Sequence, residues 1–411
     1  MYGMLGTHRR KRTKYREAGM SATVAERVRH RVERFQGERL EREWDGRYPL
    51  HSRSPGSGDI VLNSNDYLAL GRDPRIAAAV CAAVLAPAPG HDHRARAELE
   101  AALAAYARTR AAVLCQSGWE ANIGLLQTIA DQETPVYVDA RAHRSLHYGA
   151  RAADAPLFSF GHNALGDLRA LIAAHGPGII AVDAIDSTAG SRAELASLCA
   201  VAEQSGGLLV VDESHALGVT GPDGAGPVVA LGLADRVAFR TASLAKAFAG
   251  RAGIIFTNDP GFADYFRMEA APAVFSSPLR DTDIAALTAT LAVITEAAPQ
   301  RAQLRQVGMR IRTALNAMGF ELSGGAGHLI SLPTGPASQA IAVRDRLEEH
   351  GVFGSLFWPP ATPDAATLIR FTLHAALTDA QVDRIIGACR NIADTVGPIP
   401  PGASASRVVR S

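Results

Sequence analysis

The chain has 411 residues, 47% of them apolar, so it can bury a large core and is expected to form more than one domain. Its 42 basic residues (Lys and Arg) and 41 acidic residues almost cancel, which argues against nucleic acid or an anionic membrane as the main partner and favours a small molecule. The four cysteines are far apart, without zinc-site spacing or the density of a disulfide scaffold, which indicates a reducing cytoplasm. No stretch approaches the roughly 18 apolar residues that a membrane-spanning helix needs.

Residues 1–58 are expected to form a basic tail and a helical arm. Residues 9–16 are mostly basic and follow no apolar run of signal-peptide length. They could form a nucleic-acid-binding arm, but a solvated terminus is the favoured interpretation, and Met20 could be the true start. Polar and apolar residues then mix at helical spacing from 21 to about 36, before a Pro/Gly/Ser-rich linker.

Between residues 59 and 285, short apolar runs alternate with alanine-rich stretches of helical period. This pattern predicts a large α/β domain with a mostly parallel sheet. The expected strands are 112–114, 136–138, 179–182, 208–211, 237–239 and 254–256. Because ligands of open α/β sheets bind beyond the carboxyl ends of the strands, the chemistry should follow these runs directly.

Residues 286–396 are expected to form a smaller α+β domain at the C-terminal end. A helical stretch over 283–315 would connect the two domains, and strands are expected at 328–331 and 368–372. Residues 397–411 are rich in Pro, Gly and Ser, which indicates a loose tail.

Two polar residues after predicted strands could bind opposite ends of an aromatic aldehyde. Asp212 follows an apolar strand, where its carboxylate could keep a cofactor pyridinium protonated; capping of a following helix is an equal alternative. Lys246 follows another strand among small neighbours, so its amine could form an imine, although a lone lysine is more often a solvated charge.

A phosphate could bind where Ser117, Gly118 and Trp119 lead into a helix, because free N–H groups and the helix dipole attract anions there. Ser243 could add a hydroxyl group. A glycine-containing turn is also common for structural reasons alone, and Trp119 could equally belong to the core.

Other polar residues leave two interpretations open. His143 could stack on an aromatic ring or assist proton transfer, or be an ordinary interior histidine. Arg370, inside an apolar strand, could hold a substrate carboxylate or form an internal salt bridge. The sequence His-Asp-His at 91–93 has no companion ligands at metal-site spacing, so no metal is expected.

In chain order, several short motifs resemble those of the α-oxoamine synthase family of fold-type I pyridoxal-phosphate enzymes. Between residue 63 and about 385, segments 65–68, 117–122, 162–163 and 212–218 are similar to the family patterns N-D-Y-L-G, S-G-x-x-A-N, H-N-D and D-E-A-H-S-x-G. Glycines between 221 and 226 follow like the family's G-x-x-G-x-G. The resemblance implies the fold of that family.

The resemblance also implies roles for individual residues. Lys246 would be the Schiff-base lysine and remove the substrate's Cα proton, Asp212 the pyridinium partner and His143 the ring-stacking histidine. Asn65 and Arg370 would bind the amino-acid carboxylate, and His215 with Ser187 would contact the ring hydroxyl. Segment 275–277 resembles one that family members lend to the neighbouring subunit's phosphate, which implies a homodimer with shared sites. The implied cofactor-binding residues are Ser117, Gly118, Trp119, His143, Ser187, Asp212, His215, Ser243, Lys246, Ser276 and Ser277.

Segments 115–122 and 239–253 are similar to the α-hydroxyketone autoinducer synthase branch, although 243–246 reads S-L-A-K where the wider family commonly has T-x-S-K. This resemblance implies an acyltransferase that condenses an acyl-CoA with a small amino acid, or an S-adenosylmethionine-derived substrate, to an aminoketone precursor of a quorum-sensing signal. The alternatives are another α-oxoamine synthase, such as an 8-amino-7-oxononanoate synthase, an aminotransferase, or a non-catalytic binding protein of the same fold.

Overall fold

The computed structural model describes residues 23–47, 50–86, 93–320, 322, 325–359, 362 and 367–396. The predictions for the basic segment 9–16, for His91 and Asp92, and for the tail 397–411 lie outside these residues. Within them, no helix is long and apolar enough to cross a membrane.

The first described element is an arm that begins with α1 (Val24–Arg34), where a capping box joins Thr23 and Glu26. Each side chain of this box satisfies a backbone N–H that the first helical turn leaves unpaired. The helix then widens into a π-helical stretch, Phe35–Glu43, so the arm runs further than the expected end near residue 36.

A seven-stranded sheet has the order β2-β8-β7-β6-β5-β3-β4, in which only β8 runs antiparallel to its neighbours. The strands are β2 (Ala111–Cys115), β3 (Val136–Asp139), β4 (Leu157–Phe160), β5 (Ile179–Asp183), β6 (Leu208–Asp212), β7 (Phe239–Ser243) and β8 (Gly253–Thr257). Alternate residues of each strand enter two apolar clusters, one on each face, because helices cover both faces. The mostly parallel α/β sheet is therefore confirmed.

The strand expected at 237–239 is wrong by several residues, since β7 runs from Phe239 to Ser243. Arg240 lies inside this strand and is fully buried, paired with Glu213, so a charged residue interrupts the apolar pattern. Strand β4 was not expected, because it is an edge strand with one exposed and two half-buried residues.

The helices that surround this sheet and connect it to the C-terminal part are α2 (Pro74–Leu85), α3 (His93–Tyr106), α4 (Gly118–Ile129), α5 (Arg144–Ala152), α6 (Leu165–His175), α7 (Leu195–Ser205), α8 (Pro227–Ala230), α9 (Phe262–Glu269), α10 (Ala271–Val274), α11 (Asp281–Glu296) and α12 (Ala298–Ala317). The single connecting stretch expected at 283–315 is thus two helices. Pro299 starts the second, because a proline lacks an N–H and suits a first turn.

The C-terminal part has an antiparallel sheet of order β11-β12-β9, built from β9 (Leu329–Gly335), β11 (Ser355–Phe357) and β12 (Thr367–Thr372). Helices α13 (Ala337–Glu349) and α14 (Asp379–Val396) belong to the same part. Strand β1 (Ile60–Val61) pairs in parallel with β10 (Val352–Phe353), so residues just after the arm hydrogen-bond to C-terminal strands. The domain boundaries expected from the sequence stay a prediction.

Candidate active site

A cavity of about 470 Å³ lies at the carboxyl edge of the large sheet. Six of the residues singled out from the sequence line it: Asn65, His143, Ser187, His215, Lys246 and Arg370. Four of them lie in the loops after β3, β5, β6 and β7, Asn65 follows β1, and Arg370 is on β12 of the C-terminal sheet. The C-terminal part therefore contributes to the cavity wall. This edge is where an open α/β sheet is expected to bind ligands.

Asp212 is the last residue of β6 and is 4% exposed. One carboxylate oxygen accepts the Ser214 N–H at 2.8 Å and the other accepts the Asn122 Nδ2 donor at 2.7 Å. The residues after Asp212 form turns rather than a helix, so the helix-cap alternative is wrong. Two fixed donors hold the carboxylate in one orientation at the sheet edge.

Asp183 is a second buried carboxylate beside Asp212; it follows a predicted strand, but the sequence analysis assigns it no role. It ends β5, directly opposite Asp212 in the strand register. Burial, together with the negative charge of Asp212, raises the pKa of Asp183 well above its ordinary value. The pair therefore favours one negative charge over two.

Lys246 lies in the turn after β7 and is half-buried on the cavity wall, not a solvated surface charge. Burial lowers its pKa to about 8, against the opposing attraction of Asp212 and Asp183 and with the help of the Arg370 charge. A substantial fraction of the amine is then neutral near physiological pH. The chain has three lysines, at 11, 14 and 246, so Lys246 is the only one in the described residues.

Helix α4 begins at Gly118, and the Ser117 hydroxyl caps it by accepting the Glu120 N–H at 3.2 Å. A Cβ atom at Gly118 would lie 2.7 Å from the Cβ of Ser243, so only glycine lets the helix start touch the end of β7. A small cavity of about 120 Å³ opens here, lined among others by Ser117, Ser243 and Arg251. Its size and the free N–H groups of the helix start suit a phosphate group.

Arg251 adds an exposed cation to this small cavity, and the sequence analysis did not single it out. The available signal was a charged residue in a glycine-rich stretch just after Lys246. The Ser243 hydroxyl faces the same cavity and accepts the Ala245 N–H at 3.4 Å. Its role toward a phosphate stays a prediction.

Trp119 is 42% exposed, so the core alternative for this residue is wrong. Its ring lies edge-on to that of His143, with centroids 5.8 Å apart. The indole therefore contacts a residue that lines the larger cavity.

His143 precedes helix α5, and its backbone N–H donates to an Asp183 carboxylate oxygen at 3.0 Å. Burial lowers its pKa, against the attraction of Asp212. Its ring Nδ1 contacts the Ser145 hydroxyl at 2.7 Å. Asp183 therefore holds the His143 backbone and Ser145 holds its ring, which remains on the cavity wall.

His215 is buried, and its Nδ1 lies 2.5 Å from the Tyr67 hydroxyl oxygen. Burial lowers its pKa well below the ordinary value. The His328 ring packs on Tyr67 and bonds the His215 carbonyl oxygen at 2.9 Å. The sequence analysis quoted Tyr67 only inside a motif and missed His328, since these residues are far apart along the chain.

Arg370, in β12, is 6% exposed and stacks over the Phe357 ring at 4.7 Å. Its guanidinium donates to the Ser187 carbonyl and, at 3.4 Å, to Asn65 Oδ1, while Nε has no hydrogen-bond partner. In the described residues no carboxylate lies within salt-bridge distance of it. The internal salt bridge is therefore not formed, and a buried cation faces the cavity with a donor to spare.

Ser276 and Ser277 follow α10 and do not line the cavity of Lys246 in the same chain. Ser276 donates to the Pro272 carbonyl and accepts from Gln116 Nε2 at 2.8 Å, while Phe275 is 86% exposed. The two serines line a separate cavity of about 390 Å³, which shares Gln116 with the phosphate-sized cavity. Their assignment to a neighbouring subunit's site stays a prediction.

No group of three or more His, Cys, Asp and Glu side chains suited to a metal ion occurs within the described part of the chain. His93 begins α3, whereas His91 and Asp92 lie outside the described residues.

Residues 57–388 match the family model of aminotransferase class I and II. The chain belongs to this family. Among curated members, the CAI-1 autoinducer synthase of Vibrio campbellii is 38% identical over 371 residues, 88% of this chain and 94% of that protein. The serine palmitoyltransferase of Caulobacter vibrioides is 31% identical over 368 residues, 86% of this chain and 91% of that protein. The 8-amino-7-oxononanoate synthase of Anaeromyxobacter dehalogenans is 31% identical over 86% of this chain and 94% of that protein.

Solved structures of family members have the same fold. Serine palmitoyltransferase from S. paucimobilis, with bound PLP–myriocin aldimine, superposes with a TM-score of 0.82 at 25% identity, over 90% of this chain and 99% of that one. The 8-amino-7-oxononanoate synthase of Francisella tularensis gives 0.75 at 22% identity, over 82% and 99%. The family resemblance and the fold-type I transferase fold expected from the motifs are confirmed.

Proposed function

We propose that this chain is a pyridoxal-phosphate-dependent acyltransferase that condenses an acyl-CoA with a small amino acid, or with an S-adenosylmethionine-derived substrate, to an aminoketone. The product would be a precursor of a quorum-sensing autoinducer. The observation that carries the proposal is the 38% identity with a CAI-1 autoinducer synthase over nearly the whole of both chains. The serine palmitoyltransferase and the 8-amino-7-oxononanoate synthase named above are each 31% identical to this chain.

The residues fit pyridoxal phosphate in three independent ways. The small cavity at the start of α4 has the size and donors for the phosphate. The Asp212 carboxylate, fixed by two donors, can bind a protonated ring nitrogen. Lys246 supplies the single lysine amine of the described residues, with a lowered pKa. When bound, the cofactor supplies an aldehyde that reacts with amines and a ring that withdraws electrons from the substrate Cα.

The protein's side chains supply binding and proton transfer. Arg370 binds the amino-acid carboxylate with its buried, incompletely paired guanidinium, next to the Asn65 amide. Lys246 Nζ, neutral in part near pH 8, accepts the Cα proton. The Asp212 carboxylate would face a protonated ring nitrogen, and the raised pKa of Asp183 spares the pair a second negative charge. Binding of the thioester beside His143 completes the site.

A homodimer and a cytoplasmic location are also part of the proposal. A homodimer with shared sites is supported by the exposed Phe275 and by Ser276 and Ser277, which line a cavity other than the Lys246 cavity of their own chain. A cytoplasmic location is supported by the four cysteines, all unpaired and three of them buried as thiols.

The direct test supplies the purified, cofactor-loaded protein with a panel of acyl-CoAs and small amino acids, S-adenosylmethionine included. We expect release of free CoA together with an aminoketone identified by mass. Formation of 8-amino-7-oxononanoate would favour that synthase activity instead. Transfer of an amino group to a keto acid without CoA release would favour an aminotransferase, and the absence of any turnover would leave a binding protein.

A further inference from the structure

A chain of buried hydrogen bonds connects Asp212 to His143. The Asn122 side-chain nitrogen donates to Asp212 Oδ2 at 2.7 Å and to the Ser145 hydroxyl oxygen at 2.9 Å. That hydroxyl in turn lies 2.7 Å from His143 Nδ1. Asn122, Ser145 and Asp212 are all at least nine-tenths buried, so no water exchange is needed to satisfy them.

The direction of every hydrogen bond in this chain follows from valence. A carboxylate accepts, so the amide nitrogen of Asn122 faces Asp212, and the amide oxygen accepts the Thr241 hydroxyl at 2.6 Å. Both N–H bonds of Asn122 are then used. The Ser145 oxygen accepts one of them, and among the described residues His143 Nδ1 is the one acceptor within reach of the Ser145 proton.

A second donor points at the same ring nitrogen. His143 caps helix α5, and the Ser145 backbone N–H approaches Nδ1 at 3.4 Å. The positive end of a helix dipole also disfavours a protonated imidazole at this position. Two donors and the dipole therefore leave Nδ1 as an acceptor, and a neutral imidazole with an acceptor at Nδ1 carries its proton on Nε2.

We propose that Ser145 is a positioning residue that fixes His143 as the neutral tautomer with its proton on Nε2. The ring nitrogen available to the cavity is then a hydrogen-bond donor and not a base, so the Cα proton goes to Lys246 alone. The tautomer itself depends only on the protein. One part rests on the proposed function: an oxygen atom of the bound substrates would accept the Nε2–H bond of His143.

Charged groups surround His143 on several elements. Asp212, Asp183 and Lys246 face it from the ends of β6 and β5 and from the turn after β7, and Arg144 and His147 lie on its own helix. Neither carboxylate bonds to the His143 ring nitrogens; Asp183 accepts only its backbone N–H. The Ser145 hydroxyl is thus the neutral group that selects the tautomer.

The first experiment reads the ring nitrogens by NMR in protein labelled with 15N-histidine and free of cofactor. Of the 13 histidines, His143 is identified by the signal lost in His143→Asn. We expect an unprotonated Nδ1 and a protonated Nε2 in the wild type, and a mixture of tautomers in Ser145→Ala. Ser145→Thr keeps the hydroxyl and should restore the single tautomer. A protonated Nδ1 in the wild type, or no change in Ser145→Ala, would overturn the proposal.

The matched control is Ser191→Ala, which also removes one buried serine hydroxyl. That hydroxyl donates to Asp186 at 3.1 Å and lies outside the His143 network. We expect its histidine spectrum to be that of the wild type. With substrates, Ser145→Ala should lower kcat on the order of tenfold, as for other groups that orient a functional residue. The acid limb of its pH profile should move to higher pH, because loss of the donor to Nδ1 raises the pKa of His143.

A fall in kcat without that shift, with an unchanged tautomer, would mean a purely structural role and would overturn the proposal. If the wild type has the expected tautomer but transfers no acyl group, the proposed function fails while the role of Ser145 stands.

Discussion

At the scale of single residues, the site combines buried groups whose charges constrain one another. Lys246 is drawn toward its neutral form by burial, while Asp212 and Asp183 pull it toward the charged form. Burial, and next the charge of Asp212 beside it, raise the pKa of Asp183. The lysine amine is therefore poised to exchange a proton near neutral pH, as a general base requires.

The acidity of Lys246 can be measured directly in the cofactor-free protein. Only the neutral amine reacts with acetic anhydride, so its labelling, followed by peptide mass spectrometry, should rise through a midpoint near pH 8. An acetyl-lysine amide in the same tube should titrate near the ordinary value of about 10.4. Asp212→Asn should move the Lys246 midpoint lower still, because the carboxylate favours the charged amine. Coincidence of the protein's midpoint with that of the reference compound would contradict the proposed role.

Arg370 gives a second prediction at this scale. Arg370→Gln should raise KM for the amino acid by about 10- to 100-fold, the loss expected when a charge-assisted hydrogen bond to a carboxylate is removed. KM for the acyl-CoA should change little. The control is Arg310→Gln, which removes an arginine of the same part of the chain that pairs with Asp379 and Asp383 at the surface. Equal effects of the two substitutions on the amino-acid KM would contradict the assignment.

Most of the candidate cofactor- and substrate-binding residues could be predicted from the sequence, because they follow apolar strands or occur in motifs in a fixed order along the chain. Asn122 and Ser145 could not be assigned in this way, and Asp183 follows an apolar strand but gains its role only from its place beside Asp212. Their roles come from contacts across the sheet, with Asn122 on α4 meeting Asp212 on β6 over 90 positions of sequence. A residue whose function is to orient another leaves little local pattern.

Among the secondary-structure elements, strand β7, which leads into the turn of Lys246, is held by a buried ion pair. Arg240 on β7 donates to Glu213 and to the carbonyl oxygens of Ala107 and Ala225. Glu213 also accepts the Val228 N–H at 3.1 Å, and Gly226, at φ +97°, leaves no room for a side chain against its carboxylate. The ion pair joins the loop after β6 to strand β7. It therefore holds Asp212, at the end of β6, and Lys246, in the turn after β7, in fixed relative positions.

Removal of Arg240 should be strongly destabilising. Arg240→Met leaves the Glu213 carboxylate buried without its partner, and we expect the free energy of unfolding in urea to fall by about 3–5 kcal/mol. Arg236→Met is the matched control, since its pair with Glu203 is about half exposed and such pairs contribute little. If both variants unfold at the same urea concentration, the buried pair does not brace the site.

Helices and strands can be predicted from the sequence where the apolar residues recur with a clear period. The prediction is poorer where polar residues are buried. The parallel strands β3, β5 and β6 are apolar, and were placed well. Strand β7 was misplaced because Arg240 and Thr241 are buried polar residues, and the connecting helix was taken as continuous although Pro299 restarts it. The pairing of Arg240 with Glu213 is a tertiary contact that a local pattern does not show, whereas Pro299 is a local signal for the start of a second helix.

At the scale of the whole molecule, the proposed shared site makes a prediction about mixed dimers. Lys246→Ala and Ser277→Asp should each be inactive, the second because a carboxylate repels the phosphate of the neighbouring site. After co-refolding, a mixed dimer contains one intact site, so about a quarter of wild-type activity should return.

Mixing Lys246→Ala with Asp212→Asn is the control for this experiment. Both substitutions then affect the site of their own chain, and no intact site forms. Equal recovery in the two mixtures, or none in either, would mean that Ser277 does not serve a partner's site.

The most direct test of the central claim is to reduce the cofactor-loaded protein with borohydride. Mass spectrometry then shows which of the three lysines carries the cofactor. We expect the cofactor's mass on Lys246 and on neither Lys11 nor Lys14, with the label abolished in Lys246→Ala. A stable label elsewhere, or a loaded protein that yields no label at Lys246, would contradict the claim that this amine and Asp212 bind one cofactor between them.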